Sequence, residues 1–219
     1  MRVALFGGTF DPIHCGHLRL AAAAADAFAL DRVLFAPVGR QPLKSESPTA
    51  SFADRLAMVT LALAPTPEPT CNLRPAKCTF EVSTLDAPHP TGTAPNYTID
   101  TLTTLTNQLP GATLFVIAGA DSFLNLPHWR APAQLLALAE WIVVSRPGTP
   151  PLTPAFLDLP QLASLALTPG QRARIHLLAT VHENVSATEL RGRLHQGDPC
   201  PDLLPPAVAG YIQSHHLYR

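Results

Sequence analysis

His14 and His17 flank Gly16 in the stretch Gly7-Gly8-Thr9-Phe10-Asp11-Pro12-Ile13-His14-Cys15-Gly16-His17-Leu18. Two imidazoles at this spacing can each donate a ring N–H bond, and the glycine leaves room between them. The chemistry that calls for such a pair is anion binding. Arg40 and Lys44 are the next cations along the chain, and Arg191 follows much later, three residues after Thr188. Residues three apart on a helix share a face, so Thr188 and Arg191 can meet one ligand. Because the net charge is −1, a bound phosphate must find its positive charge locally. The same balance offers no general field for nucleic acid or for an anionic membrane surface.

The elements around the histidines suit the same ligand. Val3 to Phe6 is a short apolar run, read as a buried strand that stops at Gly7-Gly8. Asp11-Pro12 is a turn signal. From His17 the chain becomes Leu18, Leu20 and an alanine run, a helix packed on a sheet. A helix start turns unpaired amides and the positive end of its dipole toward an anion. Rival phosphate loops do not fit. A dinucleotide fingerprint needs G-x-G-x-x-G and an acid closing the second strand, but that strand ends in Ala36-Pro37-Val38. A Walker A loop needs a lysine that is absent between Arg2 and Lys44. A structural zinc site would need a second Cys/His pair of matching spacing. Cys15 is expected to face the core. Cys71 and Cys78 could pair or bind metal, but the four scattered cysteines are read as free thiols in a reducing cytoplasm.

The loop Gly7 to His17 resembles the G-G-[ST]-F-[DN]-P-x-H-x-G-H signature of the nucleotidyltransferases, in particular that of the bacterial nicotinate mononucleotide adenylyltransferases. Two later stretches are similar to that family's motifs. Asn96-Tyr97-Thr98-Ile99-Asp100-Thr101-Leu102 resembles P-S-Y-T-x-x-T-L, with Asn96 in place of serine. Val185-Ser186-Ala187-Thr188-Glu189-Leu190-Arg191 resembles [IV]-S-[SA]-T-x-[IL]-R. Leu43 stands where the family often has a histidine. The likeness covers essentially the whole chain, and it implies adenylyl transfer from ATP to nicotinate mononucleotide, giving deamido-NAD and pyrophosphate. It implies that Gly7, Gly8, Thr9, Phe10, Gly16, Ser186 and Thr188 receive ATP with His14, His17, Lys44 and Arg191. The G-x-D stretch Gly119-Ala120-Asp121 would reach a ribose, though Asp121 also reads as a simple helix-start acid. Tyr97, Thr98 and Trp129 would hold the pyridine ring, though they also read as capping and core residues. Mg²⁺ is implied on the triphosphate oxygens, largely through water, with no protein metal site. The alternatives are another phosphorylated acceptor, nicotinamide mononucleotide or phosphopantetheine, or a binding module without catalysis.

The remaining elements must carry these residues. Arg32 to Pro37 reads as a second strand parallel to the first, completing a βαβ unit. Ser51 caps a helix running to Ala64, with Leu56, Met58, Val59 and Leu63 as its buried stripe. Phe80 to Leu85 and Cys71 to Arg74 are weak strands. Asn96 or Thr98 caps the next helix. Thr113 to Ala118, Trp141 to Val144 and Arg174 to Ala179 are further strands. Ser186 and Glu189 form a capping box, and a last helix lies within Pro201 to Tyr218. The fold expected is an α/β, Rossmann-like, doubly wound parallel sheet with flanking helices. It forms one domain over 1–219, a core of 1–180 followed by a helical segment, 181–219. A hydrophobic share of 47% against 14% charged residues predicts a sizeable core. No apolar tract is long enough to span a membrane, and no signal peptide precedes the first strand.

Overall fold

A computed structural model of the chain describes residues 1–43, 47–65, 71, 77–90, 94–145, 150–179 and 186–219. Six strands form one sheet: β1 (Arg2–Gly8), β2 (Arg32–Pro37), β3 (Thr79–Val82), β4 (Thr113–Gly119), β5 (Glu140–Val144) and β6 (Ile175–Leu178). All neighbours are parallel, in the order β3-β2-β1-β4-β5-β6. The helices are α1 (Cys15–Ala27), α2 (Phe52–Leu63), α3 (Thr98–Gln108), α4 (Ala120–Leu124), α5 (Pro132–Leu138), α6 (Pro169–Arg172), α7 (Ala187–His195) and α8 (Pro206–Ser214).

The strands read as unbroken apolar runs because both faces of the sheet are covered. Successive side chains enter opposite cores, as a period of two requires. Ala4 and Phe6 of β1 pack with α1, α2 and α8, whereas Val3 and Leu5 pack with α3 and α5. Phe115 and Ile117 of β4 join the first core, and Leu114 and Val116 the second. β1 sends its chain to β2 on one side and pairs with β4 on the other. The strand order therefore reverses between β1 and β4, and ligands of such sheets sit at the carboxyl ends of the strands at that point. Gly8 ends β1 and Gly119 ends β4.

Several expected boundaries move. β1 runs on through Gly7 and Gly8, which pair with Ala36 and Pro37. α1 begins at Cys15, ahead of His17, because His14 takes the N-cap position. β3 is shorter than the run Phe80 to Leu85, while residues 72–76, with most of the other weak strand, lie outside the described residues. In α2 the buried stripe includes Arg55 with Met58, Val59, Ala62 and Leu63, and Leu56 is only half-buried. The proline-rich stretch 149–169, for which the sequence suggests no role, forms 3₁₀ turns at Pro154–Asp158 and Pro160–Leu165. These bury Phe156, Leu157 and Leu162 in the second core. Among the described residues, no helix is long and apolar enough to cross a membrane.

Candidate active site

The loop from Gly8 to Cys15 closes tightly over the end of β1. Phe10 has φ +48°, in the left-handed region, and its ring is buried between Phe6, Phe35 and His17. A Cβ on Gly8 would sit 3.1 Å from that ring, so glycine here makes room for Phe10. Arg55, fully buried, reaches up from α2 and donates from Nη1 to the Thr9 carbonyl at 2.7 Å. Burial pushes its pKa down, and the nearby Asp11 carboxylate opposes that. Gln41 Nε2 donates to the Thr9 hydroxyl at 3.1 Å, tying the loop after β2 to the loop after β1.

His14 and His17 lie together, their ring centroids 3.8 Å apart and both buried. The His14 amide donates to His17 Nδ1 at 3.2 Å. An accepting Nδ1 places the proton of the neutral His17 ring on Nε2, which leaves that nitrogen as a donor. Gly16 is buried between the two in the first turn of α1.

Asp11 is the hub of the loop. Oδ1 accepts from the Tyr218 hydroxyl at 2.7 Å and from the Ala50 amide at 3.0 Å, and Oδ2 accepts from the Thr49 amide at 2.7 Å. Its backbone carbonyl accepts from Arg191 Nη1 at 2.8 Å, across 180 residues of sequence. Arg191 Nη2 also donates to the Thr188 hydroxyl at 3.3 Å, so the two share a face of α7 as their spacing predicts. Ser186 accepts from the Glu189 amide at 3.1 Å, which is one half of the expected capping box. Ser186 and Thr188 are exposed at the start of α7.

On the far side of the β1 end, Asn96 does not cap α3. Tyr97 holds the cap position, Thr98 is the first helical residue, and Asn96 is buried between loops. Its Oδ1 accepts from the Arg40 amide at 2.9 Å and its Nδ2 donates to the Ala87 carbonyl at 2.8 Å. A Cβ on Gly39 would lie 2.5 Å from the Pro88 nitrogen, so that crossing admits only glycine. The Arg40 residue is exposed, and Lys44 lies outside the described residues. Asp86, buried nearby, accepts from the Thr101 hydroxyl, and burial raises its pKa. Tyr97 is half-buried under the Arg130 guanidinium, 4.8 Å from its ring. Trp129 is half-buried and meets Trp141 edge to face at 5.9 Å. The packing reading of Trp129 therefore holds for part of its ring. Gly119 caps α4, and Asp121 is exposed in its first turn.

The cysteines differ from expectation. Cys15 is buried, as expected, but it is joined to Cys71 as a disulfide, with Cα atoms 5.1 Å apart. Cys71 lies within bonding range of the first residue of α1. Cys78 and Cys200 are the free thiols. Among the described residues, no group of three or more His, Cys, Asp and Glu is placed to hold a metal.

The cytidylyltransferase-like family profile matches residues 5–193. A "Probable nicotinate-nucleotide adenylyltransferase" of Roseiflexus sp. is 41% identical over 217 residues, covering 99% of this chain and 98% of that protein. One of the same name from Solibacter usitatus is 37% identical over the full length of both. The chain belongs to the nicotinate-nucleotide adenylyltransferases of the cytidylyltransferase-like family. Its fold is also that of the Plasmodium falciparum nicotinic acid mononucleotide adenylyltransferase. The form complexed with NaAD superposes with TM-score 0.73 at 17% identity, covering 99% of this chain and 97% of that one.

Within this adenylyltransferase, motif spacing brings out the histidines and Arg191 but misses Arg55, Asp11 and Tyr218. A buried arginine carries no local signature, and Tyr218 reads from the sequence only as part of a C-terminal stretch, Tyr218-Arg219, similar to the family's tail. The one available signal was Asp11 itself, an acid in a loop otherwise built for anions.

Proposed function

We propose that the chain transfers the adenylyl group of ATP to the 5′-phosphate of nicotinate mononucleotide, forming deamido-NAD and releasing pyrophosphate. The observation that carries this reading is the bond from Arg191 to the Asp11 carbonyl at 2.8 Å. It places the guanidinium beside the loop that holds His14 and His17, at the carboxyl end of β1, where a triphosphate would need all three.

The reaction asks for alignment and charge neutralisation. The acceptor phosphate attacks the α-phosphorus, and the leaving pyrophosphate gathers negative charge. No protein nucleophile is required. In this reading the amides of Gly7 to Phe10 and the start of α1 at Gly16 cradle the phosphates. His14, the Nε2–H of His17, Lys44 and Arg191 neutralise charge as it builds. Ser186 and Thr188 flank the triphosphate, and Gly119 and Asp121 receive the adenosine ribose. Tyr97, Thr98 and the free face of Trp129 take the pyridine ring. Mg²⁺ belongs to the same proposal. The donor set fits an ion carried by the substrate, because the Asp11 carboxylate is taken up by three hydrogen bonds. The ion's ligands would then be triphosphate oxygens and water, and it would offset charge on the pyrophosphate. We place the reaction in the cytoplasm, where thiol buffers would contest the Cys15–Cys71 bond.

The deciding experiment offers ATP, Mg²⁺ and an equimolar mixture of nicotinate mononucleotide, nicotinamide mononucleotide and phosphopantetheine. Deamido-NAD with stoichiometric pyrophosphate is expected. Preferential turnover of either competitor would replace the acceptor in this proposal. ATP binding without pyrophosphate release would reduce the chain to a binding module.

A further inference from the structure

Tyr218 lies 207 residues from Asp11 in sequence, yet its hydroxyl donates to the Asp11 carboxylate at 2.7 Å. One end of this bond, and the residue before the other, adopt left-handed backbone. Tyr218 has φ +61°, and Phe10, which precedes Asp11, has φ +48°. Non-glycine residues adopt such angles at a cost, and they persist where surrounding contacts hold them. Both rings are buried, Tyr218 7% exposed and Phe10 2%. Burial and the Asp11 carboxylate push the phenol's pKa far above its ordinary value, so it remains a donor at any working pH. The Asp11 carboxylate is held on its other side by the amides of Thr49 and Ala50. Its side chain is thus fixed from two directions, and its carbonyl is the acceptor that positions Arg191. Arg191 keeps 29% of its side chain exposed, leaving part of the guanidinium for a ligand.

We propose that Tyr218 is a positioning residue for the triphosphate side of the site: its phenol anchors Asp11, and the Asp11 carbonyl in turn aims Arg191. This rests on the adenylyl-transfer reading and extends it to a residue that touches no substrate. The consequence is selective. Loss of the hydroxyl loosens Arg191 and weakens ATP, while the pyridine side, built on α3 and Trp129, is unaffected.

The test is Tyr218→Phe in the full chain, which keeps the buried ring and removes only the donor. Kinetics with each substrate varied are paired with direct titration of ATP binding, at a temperature where circular dichroism shows the variant folded. The KM and Kd for ATP are expected to rise about tenfold, the scale of one hydrogen bond to a charged acceptor. The KM for nicotinate mononucleotide should stay within about twofold. In an Arg191→Ala background the same substitution should cost ATP little more, because the two act as a unit. A lowered Tm with unchanged ATP affinity would overturn the proposal and leave Tyr218 a packing residue. So would equal losses for both substrates, or full additivity with Arg191→Ala. If the parent chain binds ATP but forms no dinucleotide, the adenylyl-transfer reading fails, and the ATP titrations still decide the role of Tyr218.

Discussion

The loop after β1 and the loops beside α3 and α4 hold their exposed groups by different means. Around Asp11, polar groups from α2, α7 and the Tyr218 segment converge on one short loop: Arg55 on the Thr9 carbonyl, Arg191 on the Asp11 carbonyl, Tyr218 on the carboxylate. Around Tyr97 and Trp129, apart from the Asn96 brace and the Thr101–Asp86 bond, the supports are mainly ring faces and apolar cores, with Trp141 and Arg130 as neighbours. Directional bonds fix a loop to fractions of an ångström, which suits transfer at phosphorus. Ring packing fixes a surface, which suits a flat ligand. The contrast predicts that damage on the first side shows in turnover and in ATP binding, and damage on the second side in the KM for the mononucleotide alone.

The largest expected effect is that of His17→Ala. Losing one preorganised donor to developing charge should lower kcat ~10²-fold or more, about 3 kcal/mol. Near-normal kcat would remove the polar side's claim to the chemistry. Gly39→Ala tests the second side's brace. A Cβ 2.5 Å from the Pro88 nitrogen must push apart the loops that Asn96 ties, costing about 1–3 kcal/mol of stability. Thermal unfolding should show a drop in Tm of several degrees, and an unchanged Tm would mean that the crossing yields easily. Trp129→Ala should raise the KM for nicotinate mononucleotide about tenfold, from loss of one stacking surface, and spare ATP. If ATP suffers instead, the two sides have been assigned to the wrong ligands.

The smallest effect concerns Cys78, just ahead of β3. Burial raises its thiol pKa from 9.0 to about 11. The native state then keeps a proton that the unfolded chain releases near its ordinary value. That contribution to stability is full below pH 9 and is lost as the pH rises through 11. Urea unfolding at pH 8 and pH 10.5 should show a smaller alkaline loss in Cys78→Ala than in the parent. Equal losses would mean that the native thiol ionises freely.

Local pattern and tertiary placement divide cleanly along this chain. The apolar run Val3 to Phe6, the glycine pair and the alanine helix announce a βαβ start, because strand and helix periodicities are properties of a few neighbouring residues. Arg32–Pro37 was legible as β2 on the same grounds. Asn96 illustrates the limit. Its place before a helix suggested a cap, but the Arg40 amide and the Ala87 carbonyl compete for its side chain, and long-range satisfaction won.

What the sequence determined alone was the succession of β1, α1, β2, α2, α3, β4, β5 and β6, the glycine-bearing anion loop and the shared face of Thr188 and Arg191. Each follows from spacing within one or two turns of chain. The folded structure alone decided that Arg55 would be buried, that Cys15 would meet Cys71, and that Arg191 and Tyr218 would both end on Asp11. Those contacts join residues 46, 56, 180 and 207 positions apart, and no local period records such a meeting. Only the packing of α2, α7 and α8 on one face of the sheet brings the partners to the same loop.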